Sequence, residues 1–252
     1  MSAARGALWG LFVCGAVGVG TKALADGDDP VMIAGAGAVS GHVYRGVERS
    51  GAAWQVAFDG MAGGWRGQFW SSRPFDSTAA GEIRAKLGYV WSVTSAVSIE
   101  VSGTHFWYVD TPIEGAAAHS FEGDVRITWT DANQWRWGLE AGYDIRFHSR
   151  VVEGSVEYYH ALPHWGTYLE ARLYAGQNTA EAVLPDLAGM GFHDAYSYWG
   201  ADLRLPYQVS WHTWVAVSAH YTQTINQDHY WSAQLTGSGE RTWFGLSASH
   251  EF

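Results

Sequence analysis

Polar and apolar side chains alternate along residues 82–87 of the segment 81–91, which reads GEIRAKLGYVW. Glu82, Arg84 and Lys86 fall on one parity, and the residues between them are apolar. Successive side chains of an extended strand point to opposite faces, so this segment predicts a strand with one charged and one apolar face. A helix of the same sequence would spread the charges around its circumference. Taken alone, the segment also fits a half-buried strand of a soluble sheet.

The same period of two recurs in residues 121–129, 135–147, 165–175 and 198–205. Each of these segments has acidic and basic residues on one parity and apolar residues on the other. Recurrence favours a continuous sheet with an apolar face and an ionic face. We expect the ionic face to line a lumen, with these charges: Glu82, Arg84, Lys86, Glu100, Glu122, Asp124, Arg126, Arg136, Glu140, Asp144, Arg146, Glu170, Arg172, Asp202 and Arg204.

Twelve strands are predicted along the chain. They lie near residues 38–47, 52–60, 64–71, 81–92, 96–108, 118–130, 134–147, 151–161, 164–176, 195–205, 210–223 and 242–252. Five short turns alternate with connections that include the two longest, at 177–194 and 224–241. An even strand count with this alternation is typical of bacterial outer-membrane barrels. The pattern therefore predicts an all-β protein, an antiparallel up-and-down transmembrane β-barrel of about 12 strands.

The first 25 residues have the features of a cleaved secretory signal peptide. Arg5 precedes a short apolar run, and Ala23-Leu24-Ala25 forms a cleavage signal before Asp26. The run is shorter than the roughly 20 apolar residues that a membrane helix needs. The only cysteine, Cys14, lies in this run, so no disulfide is expected after cleavage. We divide the chain into a signal peptide (1–25), a short periplasmic segment (26–37) and an outer-membrane barrel (38–252).

Composition favours a surface that meets lipid. Charged residues make up 16% of the chain and aromatic residues 15%, whereas soluble domains carry roughly a quarter charged residues. The net charge of −10 argues against nucleic acid as a partner. Aromatic residues are expected in two girdles at the membrane interfaces. The periplasmic girdle would hold Trp65, Trp91, Trp129, Trp135, Trp137, Trp165 and Trp211, and the outer girdle Trp54, Phe69, Trp107, Phe147, Tyr221 and Phe244.

The chain ends on Phe252, at the end of an alternating strand. This ending resembles the one common to outer-membrane barrels, where it serves as an assembly signal. The resemblance implies the barrel-assembly machinery as a partner through Phe252. Together with the apolar face, it predicts a Gram-negative outer-membrane location with membrane lipid and lipopolysaccharide around the barrel.

Residues 41–91 carry a family resemblance. Tyr44-Arg45-Gly46, Gly64-Trp65 and Phe69-Trp70-Ser71 resemble the start of the Gcw_chp family, uncharacterised bacterial proteins predicted to be outer-membrane barrels. The resemblance covers about a third of the mature chain, and it implies an architecture but no activity. Within the predicted first strand Arg45 shares its parity with Val43 and Val47, so it is expected to face lipid unless a bulge or snorkelling intervenes.

The two signs of charge on the ionic face nearly balance, which predicts a lumen filled by ion pairs. The favoured function is a narrow porin-like channel for small hydrophilic solutes, with a mild preference for cations. The alternative is a closed barrel with a structural role, or with surface interactions through the acidic loops 177–194 and 224–241. No spacing of metal ligands and no cofactor motif is present, so we expect no metal and no cofactor.

A hydrolase acting on lipid or lipopolysaccharide is the least favoured hypothesis. His220 and Thr222 share one strand face, which places a base beside a hydroxyl. No acidic residue stands at a spacing that indicates a carboxylate orienting His220, so we expect the protein not to be an enzyme. A hydrogen bond from His220 to Thr222 or another hydroxyl, with a carboxylate behind it, would favour the hydrolase instead.

Overall fold

The computed structural model describes residues 30–76, 79–109, 119–131, 134–182, 192–225 and 239–252, with residues 180–182 and 192–194 as backbone only. The strands are β1 (Val31–Val39), β2 (His42–Tyr44), β3 (Val47–Ser50), β4 (Ala53–Ala62), β5 (Trp65–Pro74), β6 (Gly81–Ser92), β7 (Val97–Val109), β8 (His119–Thr130), β9 (Trp135–Asp144), β10 (Ser149–Leu162), β11 (Thr167–Ala182), β12 (Phe192–Ser210), β13 (Thr213–Ile225) and β14 (Glu240–Glu251). A single 3-10 turn, Pro163–Trp165, precedes β11 among these residues. No helix in the described part of the chain has the length and apolarity to cross a membrane.

Twelve of the strands, β1 and β4–β14, form a closed antiparallel barrel. Each strand pairs with its neighbours in the sequence, and β1 closes the cylinder by pairing with both β4 and β14. Closure leaves no unpaired strand edge, which is the condition for a sheet to lie in lipid. The predicted fold class is confirmed.

The first barrel strand differs from its prediction. It runs over Val31–Val39 rather than 38–47, so residues 31–37 belong to the barrel and not to a separate periplasmic segment. Residues 1–29, which include the expected signal peptide, lie outside the described residues. The inner face of β1 explains the error. Ile33 and Val39 are buried there and no charged residue marks that face, so the alternation is invisible.

The connections fall at two ends of the barrel. The five short turns, at 63–64, 93–96, 131–134, 163–166 and 211–212, lie at one end, here called the turn end. The opposite end, called the loop end, carries the connections after β1, β5, β7, β9, β11 and β13. The predicted long loops 177–194 and 224–241 are shorter, because β11 extends to Ala182 and β12 begins at Phe192. What remains of them falls almost entirely outside the described residues.

The exterior of the cylinder is apolar and the interior is ionic. Ile127 and Leu173 are exposed on the outside, whereas Arg84 and Arg172 are buried inside. All seven tryptophans predicted for the turn end are exposed on the outer surface. The outer girdle is confirmed less fully. Phe69 lies in the middle of β5, opposite Ala85 of β6, and so belongs to neither girdle.

Residues 40–52, which connect β1 to β4, form a hairpin of β2 and β3 that folds into the lumen. We call this segment the inner hairpin. Its turn has positive φ at both central residues, 49° at Arg45 and 78° at Gly46, as in the type I′ turns that suit hairpins. A Cβ on Gly46 would lie 2.6 Å from the Cβ of Tyr198, so only glycine fits there. The prediction that Arg45 faces lipid is wrong, because the chain turns inward before reaching it.

Candidate functional site: the lumen and the inner hairpin

The predicted lumen charges line the inner wall with one exception. Arg146 is exposed in the turn between β9 and β10, at the loop end. The strand ends at Asp144, and the Asp144 carboxylate accepts hydrogen bonds from the backbone N–H groups of Arg146 and Phe147, both at 2.9 Å. The alternation that predicted Arg146 on the inner face therefore ends with the strand at Asp144, two residues before Arg146.

Ion pairs line the inner wall, as the sequence predicted, and all but one of those given below join neighbouring strands. A charge inside a narrow lumen is costly unless an opposite charge compensates it, so the pairs satisfy one another. The pairs with their N–O distances are Arg66–Asp59 (2.7 Å), Lys86–Glu100 (3.0 Å), Arg172–Glu153 (2.6 Å) and Arg204–Glu170 (3.0 Å), together with Arg84–Glu82, Arg126–Glu140 and Arg136–Glu157. We call this set the ion-pair ladder.

Glu153 and Arg45 also lie in the lumen, although the sequence analysis did not place them there. Glu153 shares the parity of Glu157 on β10, so alternation alone would have found it. Arg45 could not be found in this way, because the inner hairpin carries it into the lumen. Its guanidinium binds both carboxylate oxygens of Glu122, at 2.5 and 2.7 Å, and lies 3.4 Å from Glu140. A two-pronged contact of this kind is the strong form of an arginine–carboxylate pair.

Aromatic residues hold the same side of the inner hairpin. The ring centroids of His42 and Trp70 lie 5.0 Å apart. Tyr44 covers the Arg84 guanidinium, whose carbon lies 4.0 Å from the centre of the Tyr44 ring and 5.2 Å from that of Phe106. Contacts between a cation and an aromatic face contribute about 0.5–2 kcal/mol each, more when water is excluded. The hairpin is therefore fixed to strands β5–β9 by both charge and stacking.

The opposite side of the inner hairpin meets strands β12–β14. Val43 packs in a buried cluster with Val39, Ala53 and Trp243. The Thr224 hydroxyl donates a hydrogen bond to the Gly46 carbonyl at 2.6 Å. At the rim, Arg241 and Glu48 form an ion pair at 2.6 Å. The inner hairpin thus spans the lumen from one wall to the other.

The lumen beside the hairpin tip is narrow. A cavity of about 70 Å³ is lined by Arg45, Lys86, Asp124, Arg126 and Glu140, among others. This is room for a few water molecules. This cavity beside the inner hairpin is therefore small and surrounded by charge.

A second polar cluster lies on β12 and β13. His220 Nδ1 is 2.7 Å from Asp202 Oδ1, and His220 Nε2 is 2.9 Å from Ser218 Oγ. Thr222, the hydroxyl considered from the sequence, instead donates to the carbonyl of Trp199 at 2.9 Å. The described residues contain no group of three or more His, Cys, Asp or Glu that could hold a metal ion.

Comparison with known proteins shows likeness in fold. No protein-family model matches the chain, and no curated protein matches it, so the Gcw_chp resemblance stays a prediction. The NanC porin structure is 10% identical, with a TM-score of 0.54 over 87% of this chain and 98% of that one. The KdgM porin is 9% identical, with a TM-score of 0.53 over 88% and 99%. A KdgM porin in complex with disordered oligogalacturonate gives a TM-score of 0.52 at 9% identity. At these identities the likeness establishes that the chain has the barrel fold seen in porins.

Proposed function

We propose that the protein is a porin-like channel of the outer membrane, which passes small hydrophilic solutes through a lumen narrowed by the inner hairpin. The observation that carries this proposal is the placement of the side chains: ion pairs line the inside of a closed cylinder whose outside is apolar. An apolar exterior of this kind matches lipid, and a polar lumen lets water and polar solutes cross it. The barrel is shared with porins, which supports the proposal.

The charges of the lumen favour neutral or cationic solutes. One similar porin was solved in complex with disordered oligogalacturonate, which is a polyanionic saccharide. An anionic solute would need a track of basic side chains that are not already neutralised. Here each basic residue of the ion-pair ladder has a carboxylate partner, and Arg45 has two. Asp144 adds a further buried carboxylate. We therefore expect a mild preference for cations.

The surroundings of the barrel follow from the same proposal. Outer-membrane lipid and lipopolysaccharide would contact the apolar exterior, with the turn end in the periplasm. Phe252 is exposed at the turn end, and its backbone N–H donates to the Met32 carbonyl at 3.0 Å. An exposed aromatic residue beside a paired strand suits recognition by the barrel-assembly machinery. Nucleic acid is not expected as a partner.

A closed barrel with a structural role is the second candidate, favoured by the way the inner hairpin spans the lumen. Planar-bilayer conductance of the refolded protein in a salt gradient separates the two. A channel gives small events with a reversal potential of cation-preferring sign. A closed barrel gives no events, either in the unaltered protein or in an Arg45→Ala variant.

A further inference from the structure

Ser218, His220 and Asp202 form a hydrogen-bonded chain inside the barrel. Ser218 and His220 are two residues apart on β13, so they share its inner face, and Asp202 lies directly opposite His220 on β12. The two contacts, 2.9 Å from Ser218 Oγ to Nε2 and 2.7 Å from Nδ1 to Asp202, both have hydrogen-bond lengths. The three side chains are held by adjacent strands of a closed sheet.

The direction of these hydrogen bonds follows from the groups present. An ionised carboxylate only accepts hydrogen bonds, so Asp202 accepts from Nδ1–H. In a neutral imidazole the other nitrogen, Nε2, is then an acceptor, and the Ser218 hydroxyl donates to it. This is the arrangement in which histidine acts as a general base on a serine nucleophile and the carboxylate fixes its tautomer.

Two neighbours fix the position of the base. The Trp243 indole stacks on the His220 ring, with centroids 5.0 Å apart and planes inclined by 10°. The Arg172 guanidinium lies 3.5 Å from the second oxygen of Asp202. The ring is therefore held by a flat contact on one face and by a buried carboxylate that has its own cationic partner.

A donor for a developing negative charge is also present. Arg204 lies directly opposite Ser218 in the strand pairing, where side chains on one face are within about 5 Å at Cβ. Arg204 Nη1 binds Glu170, but its buried Nε–H has no hydrogen-bond acceptor among the described residues. A buried donor without an acceptor is costly, and such donors stabilise an oxyanion where one forms beside them.

We propose that Ser218, His220 and Asp202 are an ester-hydrolysing site, with Ser218 and His220 as catalytic residues and Asp202 as a positioning residue. Ser218 Oγ attacks the ester carbonyl carbon and its proton passes to His220 Nε2. The alcohol leaves with that proton, which gives an acyl-serine. A water molecule then attacks the acyl carbon, loses its proton to His220, and releases a carboxylic acid as the serine recovers its proton. The sum is ester plus water giving acid plus alcohol.

The surroundings define the substrate class as a short O-acyl ester of a small hydrophilic alcohol, such as an acetylated saccharide. The site lies inside the lumen, on the turn-end side of the inner hairpin, because Thr224 of the same strand contacts Gly46 and Trp243 packs against Val43. The substrate would therefore arrive as a solute in the lumen. This differs from the lipid or lipopolysaccharide substrate considered from the sequence, which would require a site on the outer surface.

The test uses the full barrel refolded in detergent, with diisopropyl fluorophosphate as the probe and p-nitrophenyl acetate as the substrate. The expected result is a single diisopropylphosphoryl group on Ser218, located by peptide mass spectrometry. Ser218→Ala and His220→Gln should lower acetate release by about 10²–10⁴-fold, the usual contribution of a general base. Asp202→Asn should lower kcat while leaving KM unchanged, which a merely structural role would not produce.

A matched control is Ser247→Ala, which removes another buried serine, on β14, and should keep both labelling and turnover. Every variant is measured a second time with Arg45→Ala, so that closure by the inner hairpin cannot mask the site. Heat-modifiable gel migration verifies that each barrel is folded. The proposal is overturned by a folded protein that gains no adduct on Ser218 in either background, or by turnover that Ser218→Ala leaves unchanged. Conductance of the unaltered protein is recorded in a separate experiment, so a failure of the ester-hydrolysing site and a failure of the channel proposal are distinguishable.

Discussion

The two walls that the inner hairpin touches differ in chemistry. The wall of β5–β11 carries most of the ion-pair ladder, and Arg45 of the hairpin docks there on Glu122. The wall of β13, β14 and β1 presents mostly small polar or apolar side chains, and Val43 packs there against Trp243. The hairpin therefore has an apolar anchor on one wall and an ionic latch on the other. Salt screens ion pairs but has little effect on apolar contacts. A buried ion pair is also lost when either partner is removed. The contact of Arg45 with Glu122 should therefore break before the contact of Val43 with Trp243.

The largest effect is expected from Arg45→Ala. The substitution leaves Glu122 buried without its main cationic partner, and breaking a buried pair in this way costs about 3–5 kcal/mol. The hairpin should swing away from the ionic wall and raise single-channel conductance several-fold. The measurement is single-channel recording in a planar bilayer. Unchanged conductance in a folded Arg45→Ala barrel would show that this contact does not hold the hairpin in the lumen.

A smaller effect is expected from Val43→Ala, which cuts the apolar anchor. Removing buried methyl groups costs about 1–3 kcal/mol of hairpin docking through lost burial and the cavity left behind. Conductance should rise less than for Arg45→Ala. The ratio of the conductance of the variant to that of the unaltered protein should be the same at low and high salt. Val43→Ala and Arg45→Ala are both recorded at several salt concentrations. An anchor effect that varies strongly with salt would contradict the division into two walls.

Acidification should also loosen the inner hairpin, through His42. Burial is the main cause that lowers the pKa of His42 to about 3, with Arg84 and Arg49 acting in the same direction and Glu82 against it. In a released hairpin the imidazole would titrate near 6.5, so docking is at full strength above pH 6.5 and weakens as the pH falls from 6.5 towards 3. At pH 5 the loss is about 2 kcal/mol. Conductance of the unaltered protein should therefore increase between pH 7 and pH 5.

The control for this pH effect is His42→Phe, which keeps an aromatic ring on Trp70 but cannot bind a proton. Its conductance should be flat from pH 7 to pH 5. An equal pH response in the unaltered protein and the variant would place the titrating group elsewhere.

The smallest effect is expected from Arg241→Gln. Its ion pair with Glu48 lies at the rim, where both side chains are a quarter or more exposed. Exposed pairs contribute about 0–1 kcal/mol, so conductance should change by less than twofold at moderate salt. A several-fold increase would mean that the rim, rather than Arg45, holds the hairpin.

Strand positions were predictable wherever water or ions meet one face and lipid the other. The strand predicted at 81–92 has those bounds in β6, because Glu82, Arg84 and Lys86 mark its inner face. β1 was not predictable in this way. Ile33 and Val39 on its inner face are buried within the lumen, Val39 in the same cluster as Val43 of the hairpin, so neither face of this strand needs polar residues.

Contacts between distant segments were not predictable from periodicity. Arg45 meets a carboxylate 77 residues away, and nothing in the alternation of either segment pairs them. At the β13 cluster, parity placed His220 on the inner face with its neighbouring hydroxyls. The hydroxyl that His220 binds depends on the direction of its side chain. The position of Asp202 opposite His220 depends on the register of β12 with β13. Sequence reasoning therefore gives the faces of the strands but not the partners across them.

A double-mutant cycle in single-channel conductance tests whether Arg45 holds the inner hairpin in the lumen. It uses Arg45→Glu, Glu122→Arg and the two together. Each single substitution places like charges side by side and should raise conductance several-fold, whereas the double substitution restores an opposite pair and should return conductance towards that of the unaltered protein. If the single substitutions have no effect, or if the increases in conductance of the two single variants add up in the double variant, the Arg45–Glu122 pair does not hold the hairpin.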